Sequence, residues 1–194
     1  MSVPEDESPL QNALKRSASA LKADRIPFAL GGGYALWAYG APEPVHDADL
    51  VVAESDIERA AECLVAAGFR VERPPEDWLF KAWLDDNLVD VLHRINGEVV
   101  TGASLEEASE VEILGVRIPV LPPTPILLAK LRALTEHYCD LTPLLPVVRA
   151  VREQLDWDHL RDQTRDQPFA EAFLLLASRL GLTGGPVVIE KVDS

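Results

Sequence analysis

Cysteine, positive charge and long apolar runs are all scarce in this sequence. Its 194 residues include 2 cysteines, Cys63 and Cys139. Two cysteines cannot build a disulfide scaffold, and their spacing fits no zinc motif, so we expect reduced thiols in the core of a cytosolic protein. The chain has no run of about 18 apolar residues, which predicts a cytoplasmic protein without a membrane-spanning helix. Acidic residues at positions 5–7 have the wrong charge for a signal peptide.

Basic residues are outnumbered by acidic ones, 18 Lys and Arg against 32 Asp and Glu, which gives a net charge of −14. Residues 1–121 hold 22 of the acids and 10 of the bases, a net of −12. This excess argues against a protein that coats nucleic acid nonspecifically, although it leaves room for a local cationic site. The hydrophobic fraction of 47% is that of a globular protein.

Three prolines, at positions 122, 123 and 125, mark a change of pattern along the chain. Before them, short apolar runs alternate with helical spacing, which predicts an α/β layer with a mixed sheet over residues 1–121. After them, helical spacing continues over 122–183 and predicts a small helical bundle, with Thr124 capping its first helix. Residues 184–194 are expected to form a tail.

The α/β part is predicted from apolar runs and their punctuation. A helix over 10–24 precedes a strand that enters the glycine triplet Gly31-Gly32-Gly33, and a short helix follows. A helix with Ser55 as its cap is expected after the next strand. The further predicted strands are 48–53, 69–73, 79–84, 88–95, and a hairpin of 111–114 with 116–121 around Gly115.

Acidic residues interrupt two of the predicted strands. Asp47 and Asp49 lie two positions apart, so their carboxylates project from one face of a strand. Asp90 lies inside the apolar run L-V-D-V-L, where an isolated carboxylate is costly. If the two strands are neighbours, the three acids form a cluster that calls for cations. Mg²⁺ suits hard carboxylate oxygens, and such a triad is typical of two-metal phosphoryl or nucleotidyl transfer.

The glycine triplet Gly31–Gly33 joins a strand to the start of a helix. Backbone N–H groups at such a turn can hold a triphosphate opposite the metal ions. Arg94 lies four residues after Asp90 and therefore on the same strand face, where it could neutralise phosphate or form a structural ion pair. His46 precedes the acid pair, where it could orient the two acids, bind substrate or be a loop residue with no role.

The ordered set of glycine turn, helix, Asp47-x-Asp49 pair and later Asp90 resembles the DNA polymerase β-like nucleotidyltransferase superfamily. The step of 41 residues from Asp49 to Asp90 is similar to that of small antibiotic nucleotidyltransferases. The segment P-P-T-P-I-L-L-A-K-L-R-A-L resembles one in stand-alone bacterial members, including abortive-infection-type toxins. The resemblance covers roughly residues 26–145. It implies a nucleotidyltransferase-type mixed sheet flanked by helices, with a C-terminal helical bundle.

The resemblance also implies an activity and its participants. An NMP would pass from an NTP to an acceptor hydroxyl with release of pyrophosphate, assisted by two Mg²⁺ ions on Asp47, Asp49 and Asp90. Lys130 would face the triphosphate, and Asp140 matches an acid that recurs about ten residues later. Lys130 could equally be a snorkelling lysine of its helix, and Asp140 could cap the next helix.

The acceptor is open between a small molecule such as an aminoglycoside-like polycation, a protein side chain and a tRNA 3′ end. The negative charge favours a cationic or protein acceptor over RNA. A cognate toxin or antitoxin is a possible partner. The chain departs from the superfamily pattern at Gly33, where serine is common, and at residues 43–46, where many members have Arg and Ser or Thr. These departures motivate an alternative, a degenerate member that binds a nucleotide or a partner protein without turnover.

Overall fold

The computed structural model describes residues 7–183 and divides them into two compact units. One unit contains the residues up to 38 together with 43–122, and the other contains 39–42 and the residues from 123 onward. The tail predicted over 184–194 lies outside the described residues. The helix and strand pattern confirms the expected α/β class, with a mixed sheet followed by a run of helices.

The first unit is built on a seven-stranded sheet in the order β3-β4-β5-β2-β1-β9-β8, with a small second sheet of β6 and β7. β2 pairs with β5 and β1 with β9 in parallel, and the other neighbours are antiparallel. The strands are β1 Phe28–Leu30, β2 Asp47–Val52, β3 Arg70–Glu72, β4 Leu79–Leu84, β5 Asn87–Leu92, β6 Arg94–Ile95, β7 Glu98–Val99, β8 Ser109–Ile113 and β9 Val116–Val120.

The longer helices cover this sheet because each presents an apolar stripe to the core. α1 (Pro9–Ala23) packs against β2, β5 and β9, and α3 (Ile57–Ala66) packs against α1, β3 and β4. α2 (Gly32–Ala38) lies on β2, and α4 (Gly102–Leu105) is a single turn. The core of this unit consists of side chains such as Leu14, Leu30, Leu50 and Leu64, all fully buried.

The second unit is helical. Its helices are α5 Pro123–Arg132, α6 Leu144–Val151, α7 Trp157–Gln163 and α8 Pro168–Arg179. α5 packs against both α7 and α8, and the buried side chains of Leu127, Leu131 and Phe173 belong to their shared core. No helix within residues 7–183 has the length and apolarity needed to cross a membrane.

Two predicted helix caps are wrong. α3 follows a single 3-10 turn over Glu54–Asp56, so Asp56 rather than Ser55 occupies the N-cap position. α5 begins at Pro123, and the Thr124 hydroxyl instead accepts a hydrogen bond from the backbone N–H of Asp156 at 3.0 Å. The first helical positions are thus set by the preceding turn and by proline rather than by these hydroxyls.

The two cysteines differ in their surroundings. Cys63 lies in the core beside α1, as expected, and burial raises the pKa of its thiol to about 11, helped by a hydrogen bond to Asp24 and its charge. Cys139 is exposed, so the expectation of a core thiol is wrong for this residue. It lies between α5 and α6, where the chain follows no apolar periodicity.

Candidate functional site

The acid pair lies on β2, where the two acids alternate with side chains that are buried in the core. Asp47 and Asp49 are half-buried, whereas the alternating Ala48 and Leu50 are fully buried. Because side chains alternate along a strand, both carboxylates leave the sheet on the face opposite to those two apolar residues. The strand therefore holds two like charges side by side at its amino end.

Asp90 lies on β5, the parallel neighbour of β2. The register pairs Asp49 with Asp90 and Asp47 with Leu88, so Asp90 leaves the sheet on the same face as the acid pair. Asp90 is also the most buried of the three acids, with 9% of its surface exposed. The fold thus brings together the three acids that the sequence singled out, on a surface that we name the acid face (Asp47, Asp49 and Asp90).

Electrostatics at the acid face reflect this proximity. Burial raises the pKa of Asp90, the nearby Lys81 ammonium opposes that rise, and the negative charge of Asp47 adds to it. The Lys81 Nζ lies 3.5 Å from Asp90 Oδ1. Since Asp47 and Asp90 repel one another and Asp90 is desolvated, the acid face favours a bound cation.

The glycine turn fits directly against Asp49. The Gly31 N–H donates a hydrogen bond to the carbonyl oxygen of Asp49 at 2.9 Å. Gly32 has a φ of +52°, and a Cβ at this position would overlap the Asp49 carboxylate. Both the backbone conformation and the lack of space therefore require glycine at position 32. The turn places the start of α2 beside the acid face.

The segment before β2 is tied to the helices rather than to the acids. Glu43 Oε1 accepts hydrogen bonds from Gln11 Nε2 at 2.7 Å and from the Tyr34 hydroxyl at 3.0 Å. Burial, and then the bond and charge of Glu43, raise the pKa of Tyr34. A Cβ at Gly33 would come within 2.9 Å of Pro44 Cβ, so this segment occupies the space of a serine there. His46 is exposed.

Arg94 does not continue the strand of Asp90. β5 ends at Leu92, and Arg94 begins β6 in the second sheet. Its Nε and Nη2 donate to Glu54 Oε1 at 2.9 and 2.6 Å. This bond raises the pKa of Arg94 and lowers that of Glu54. Of the two roles open at the sequence level, the ion pair is present, and phosphate binding stays a prediction.

Lys130 and Asp140 belong to the helical unit. Lys130 lies in the last turn of α5 and is half-buried. Asp140 is exposed, and its Oδ1 accepts a hydrogen bond from the Thr142 N–H at 2.9 Å. That bond holds the pKa of Asp140 below its ordinary value. Asp140 therefore stabilises a turn before α6 without being its N-cap residue, which is Pro143. Nucleotide contacts by either residue stay predictions.

The donor set of the acid face suits a divalent cation. Three carboxylates offer hard oxygen ligands. A bound Mg²⁺ would also offset the repulsion between the negative charges of Asp47 and Asp90. Within residues 7–183, however, no group of three or more acidic, histidine or cysteine side chains is already gathered around one metal position. Asp90 instead contacts Lys81. The side chains at this site would have to turn toward a cation when it binds.

The sequence did not associate Lys81 with the acid face. It lies on β4, where Leu79, Phe80 and Ala82 are buried, and the register pairs it with Asp90. A lysine inside an apolar strand is a signal of the same kind as Asp90 in its own strand. Only the pairing of β4 with β5 shows that these two charges compensate one another.

Comparison with known proteins places these observations in context. A family model described as an uncharacterised nucleotidyltransferase matches residues 5–182. A search of curated proteins gave no match.

Solved structures share the architecture. The crystal structure of ANT(2″)-Ia in complex with adenylyl-2″-tobramycin matches with a TM-score of 0.61 and 18% identity, over 87% of this chain and 97% of that one. Lincomycin-bound LnuA, a lincosamide antibiotic adenylyltransferase, matches with a TM-score of 0.52 and 13% identity, over 70% and 92%. At such identities the likeness concerns the fold alone.

Proposed function

The chain belongs to the nucleotidyltransferase family whose model matches residues 5–182, and from this premise we propose its donor, its acceptor and the side chains that carry out the transfer. The enzyme moves a nucleoside monophosphate from a Mg²⁺-bound NTP to a hydroxyl of a positively charged small molecule and releases pyrophosphate. The observation that carries this proposal is the register of β2 with β5, which pairs Asp49 with Asp90 and leaves Asp47 on the same face.

Asp47, Asp49 and Asp90 would hold the Mg²⁺. Bound there, the metal supplies positive charge against the phosphates and lowers the pKa of the acceptor hydroxyl. The backbone at Gly31–Gly33 borders Asp49, which favours placing the phosphates at this turn. Lys130 remains the candidate residue for stabilising the negative charge that develops on the leaving pyrophosphate.

The chemical step is an in-line displacement. The acceptor oxygen forms a bond to the α-phosphorus, the bond from that phosphorus to the bridging oxygen breaks, and pyrophosphate leaves with the bond's electrons. Asp90 takes the hydroxyl proton. Its place on the acid face, level with Asp49, is what favours this role.

The choice of a cationic acceptor follows from charge. Residues 1–121, which include the acid face, carry a net charge of −12. Such a surface attracts polycations and repels the phosphates of RNA. A solved structure of similar fold, that of ANT(2″)-Ia, holds adenylyl-2″-tobramycin, the adenylylated form of such a molecule. Protein side chains and tRNA ends are the acceptors that this argument disfavours.

The test is a transfer assay with each of the four NTPs labelled at the α-phosphate, Mg²⁺, and separate pools of aminoglycosides, cell protein and total RNA. We expect label in the aminoglycoside pool and at least about a 10³-fold loss of rate in Asp49→Asn and Asp90→Asn. Asp158→Asn is the matched control, because that side chain is 97% exposed and pairs with Arg161 in the helical unit. Label only in protein or RNA would refute the acceptor, and equal rates in all variants would refute the site.

A second candidate, nucleotide binding without turnover, is favoured by one observation. Lys81 already contacts Asp90, one of the three proposed metal ligands. This candidate predicts that Mg²⁺ with an NTP raises the melting temperature by mass action while no label is transferred to any pool. Transfer that depends on Asp49 would exclude it.

A further inference from the structure

We infer that Lys81 is the resident counter-ion of Asp90, and that a divalent cation binding at the acid face displaces it. Lys81 thus acts through Asp90 and sets the affinity of the acid face for a divalent cation. The inference rests on the proposed function, which assigns Asp47, Asp49 and Asp90 as the metal ligands.

The geometry of β4 and β5 pairs the two charges directly. These strands are antiparallel, and Lys81 is the register partner of Asp90. The Lys81 Nζ lies 3.5 Å from Asp90 Oδ1, and the side chains are 31% and 12% exposed. A carboxylate so deeply buried is costly without an opposite charge, and a lysine on the neighbouring strand supplies that charge.

A metal ion and the Lys81 ammonium would compete for the same carboxylate. The register places Asp49, Asp90 and Lys81 in one row across β2, β5 and β4, all on the same face. A cation held by Asp49 and Asp90 would therefore have the ammonium as its like-charged neighbour. Because two cations beside one carboxylate repel each other in a partly buried site, a bound metal weakens the hold of Asp90 on the ammonium.

Lys81 has a second carboxylate to which it can turn. On its other side the register pairs it with Glu72 of β3, which is 52% exposed on its side chain and contacts Arg70 at 3.3 Å. A lysine stem is flexible, and its charged end reaches solvent readily. Displacement from Asp90 therefore moves the ammonium toward Glu72 and water without burying an unpaired charge.

The test is direct binding of Mn²⁺ to the full chain without nucleotide, measured by the EPR signal of the free ion. Lys81→Gln removes the competing charge and should tighten Mn²⁺ binding about fivefold. Lys81→Arg should weaken it about threefold, because a guanidinium grips a carboxylate with two hydrogen bonds. Lys15→Gln is the matched control: Lys15 also pairs with a carboxylate, that of Glu7 at 3.3 Å, but on α1. It should leave the Kd for Mn²⁺ within about twofold of the wild type.

The arginine variant keeps the charge, so the inference remains testable even if Lys81→Gln fails to fold. Wild-type Mn²⁺ affinity in both Lys81 variants, together with loss of binding in Asp90→Asn, would overturn the inference and leave the proposed function standing. An equal gain in Lys15→Gln and Lys81→Gln would overturn it as well, because net charge would then be the cause. Failure of the proposed function looks different: the wild type binds Mn²⁺ and transfers no label from any NTP.

Discussion

Gly32 is the residue at which backbone and site chemistry depend on each other most directly. Its φ of +52° disfavours any side chain, and the space where a Cβ would lie is filled by the Asp49 carboxylate. The turn and the acid pair therefore constrain one another.

We predict that Gly32→Ala abolishes nucleotidyl transfer and lowers the free energy of unfolding by more than about 2 kcal/mol. The cause is the positive φ combined with the displacement of Asp49. Urea denaturation and the transfer assay measure the two effects. Gly97→Ala is the control, because Gly97 has a φ of +82° with open space around it.

That control separates backbone strain from steric overlap. Gly97→Ala should cost about 1 kcal/mol and leave the rate of transfer unchanged. If both variants lose the same stability and keep full activity, Gly32 has no special relation to Asp49.

Asp90 makes the stability of the protein depend on pH. Its pKa is raised in the folded state, chiefly by burial. Below the pKa of the unfolded chain Asp90 is protonated in both states and carries no penalty. As the pH rises through the folded-state pKa, the folded protein must hold a buried charge, and the penalty becomes complete.

We therefore predict that Asp90→Asn gains stability relative to the wild type as the pH is raised from about 4 to 7 without divalent metal. Urea unfolding of both proteins across this range measures the difference. A difference that stays constant with pH would show that Asp90 has the same pKa in the folded and unfolded chains.

Some of these residues could be predicted from sequence and some could not. Asp47, Asp49 and Asp90 interrupt apolar strands, so their unusual placement is visible in the sequence. The contact of Lys81 with Asp90 depends on strand register, and that of Gly33 with Pro44 depends on the path of a loop. Neither leaves a periodic pattern. Arg94 was placed by alternation, which stopped applying where β5 ended.

Among the elements, α1 links the start of the fold to the segment that precedes the acid pair. Its capping box is complete: the Ser8 hydroxyl accepts from the Gln11 N–H, and the Gln11 side chain accepts from the Ser8 N–H. The same Gln11 amide also donates to Glu43. The helix cap and the approach to β2 thus share one side chain.

We predict that Ser8→Ala lowers the free energy of unfolding by about 1 kcal/mol, the usual value of an N-cap hydroxyl. Thermal or urea denaturation measures it. Thr101→Ala removes the equivalent hydroxyl from the capping box of α4, which is a four-residue helix. Because so little structure depends on α4, that variant should lose less than half as much. The reverse order would contradict the importance of the α1 cap.

The apolar periodicity predicted most helices and strands, but hydrogen bonds that leave no periodic pattern decide where they end. The hairpin predicted around Gly115 is present as β8 and β9, with positive φ at both Leu114 and Gly115. Helical spacing likewise predicted α1, which was expected over 10–24 and spans Pro9–Ala23. The predicted strand 88–95 breaks at His93, whose N–H donates to Trp78 and whose carbonyl accepts from Val100. These bonds depend on the path of the chain before β4 and after β7, which periodicity does not show.

For the whole molecule, the resemblance to nucleotidyltransferases is confirmed by the family match over residues 5–182, and solved nucleotidyltransferase structures share the fold. The sheet order shows why the motif is ordered along the chain yet gathered in space. The glycine turn, acid pair and third acid lie on β1–α2, β2 and β5, which are neighbours in space.

The net charge of −14 has a consequence for acceptor binding. We predict that the KM for a polycationic acceptor rises at least about fivefold between 0.05 and 0.5 M salt, because screening weakens attraction between charges. Initial rates over a range of acceptor concentrations measure it. An uncharged acceptor analogue serves as the control and should show little change. A KM for the polycation that is independent of salt would mean that charge does not guide the acceptor.

The contrast between the two cysteines gives the protein a single natural labelling site. The buried thiol of Cys63, with its pKa of about 11, is a poor nucleophile at neutral pH, whereas Cys139 is exposed. A maleimide dye should therefore attach at a single position in the unmodified chain. Substrate titrations could then be followed by fluorescence, without engineering the acidic surface that the acceptor is proposed to meet.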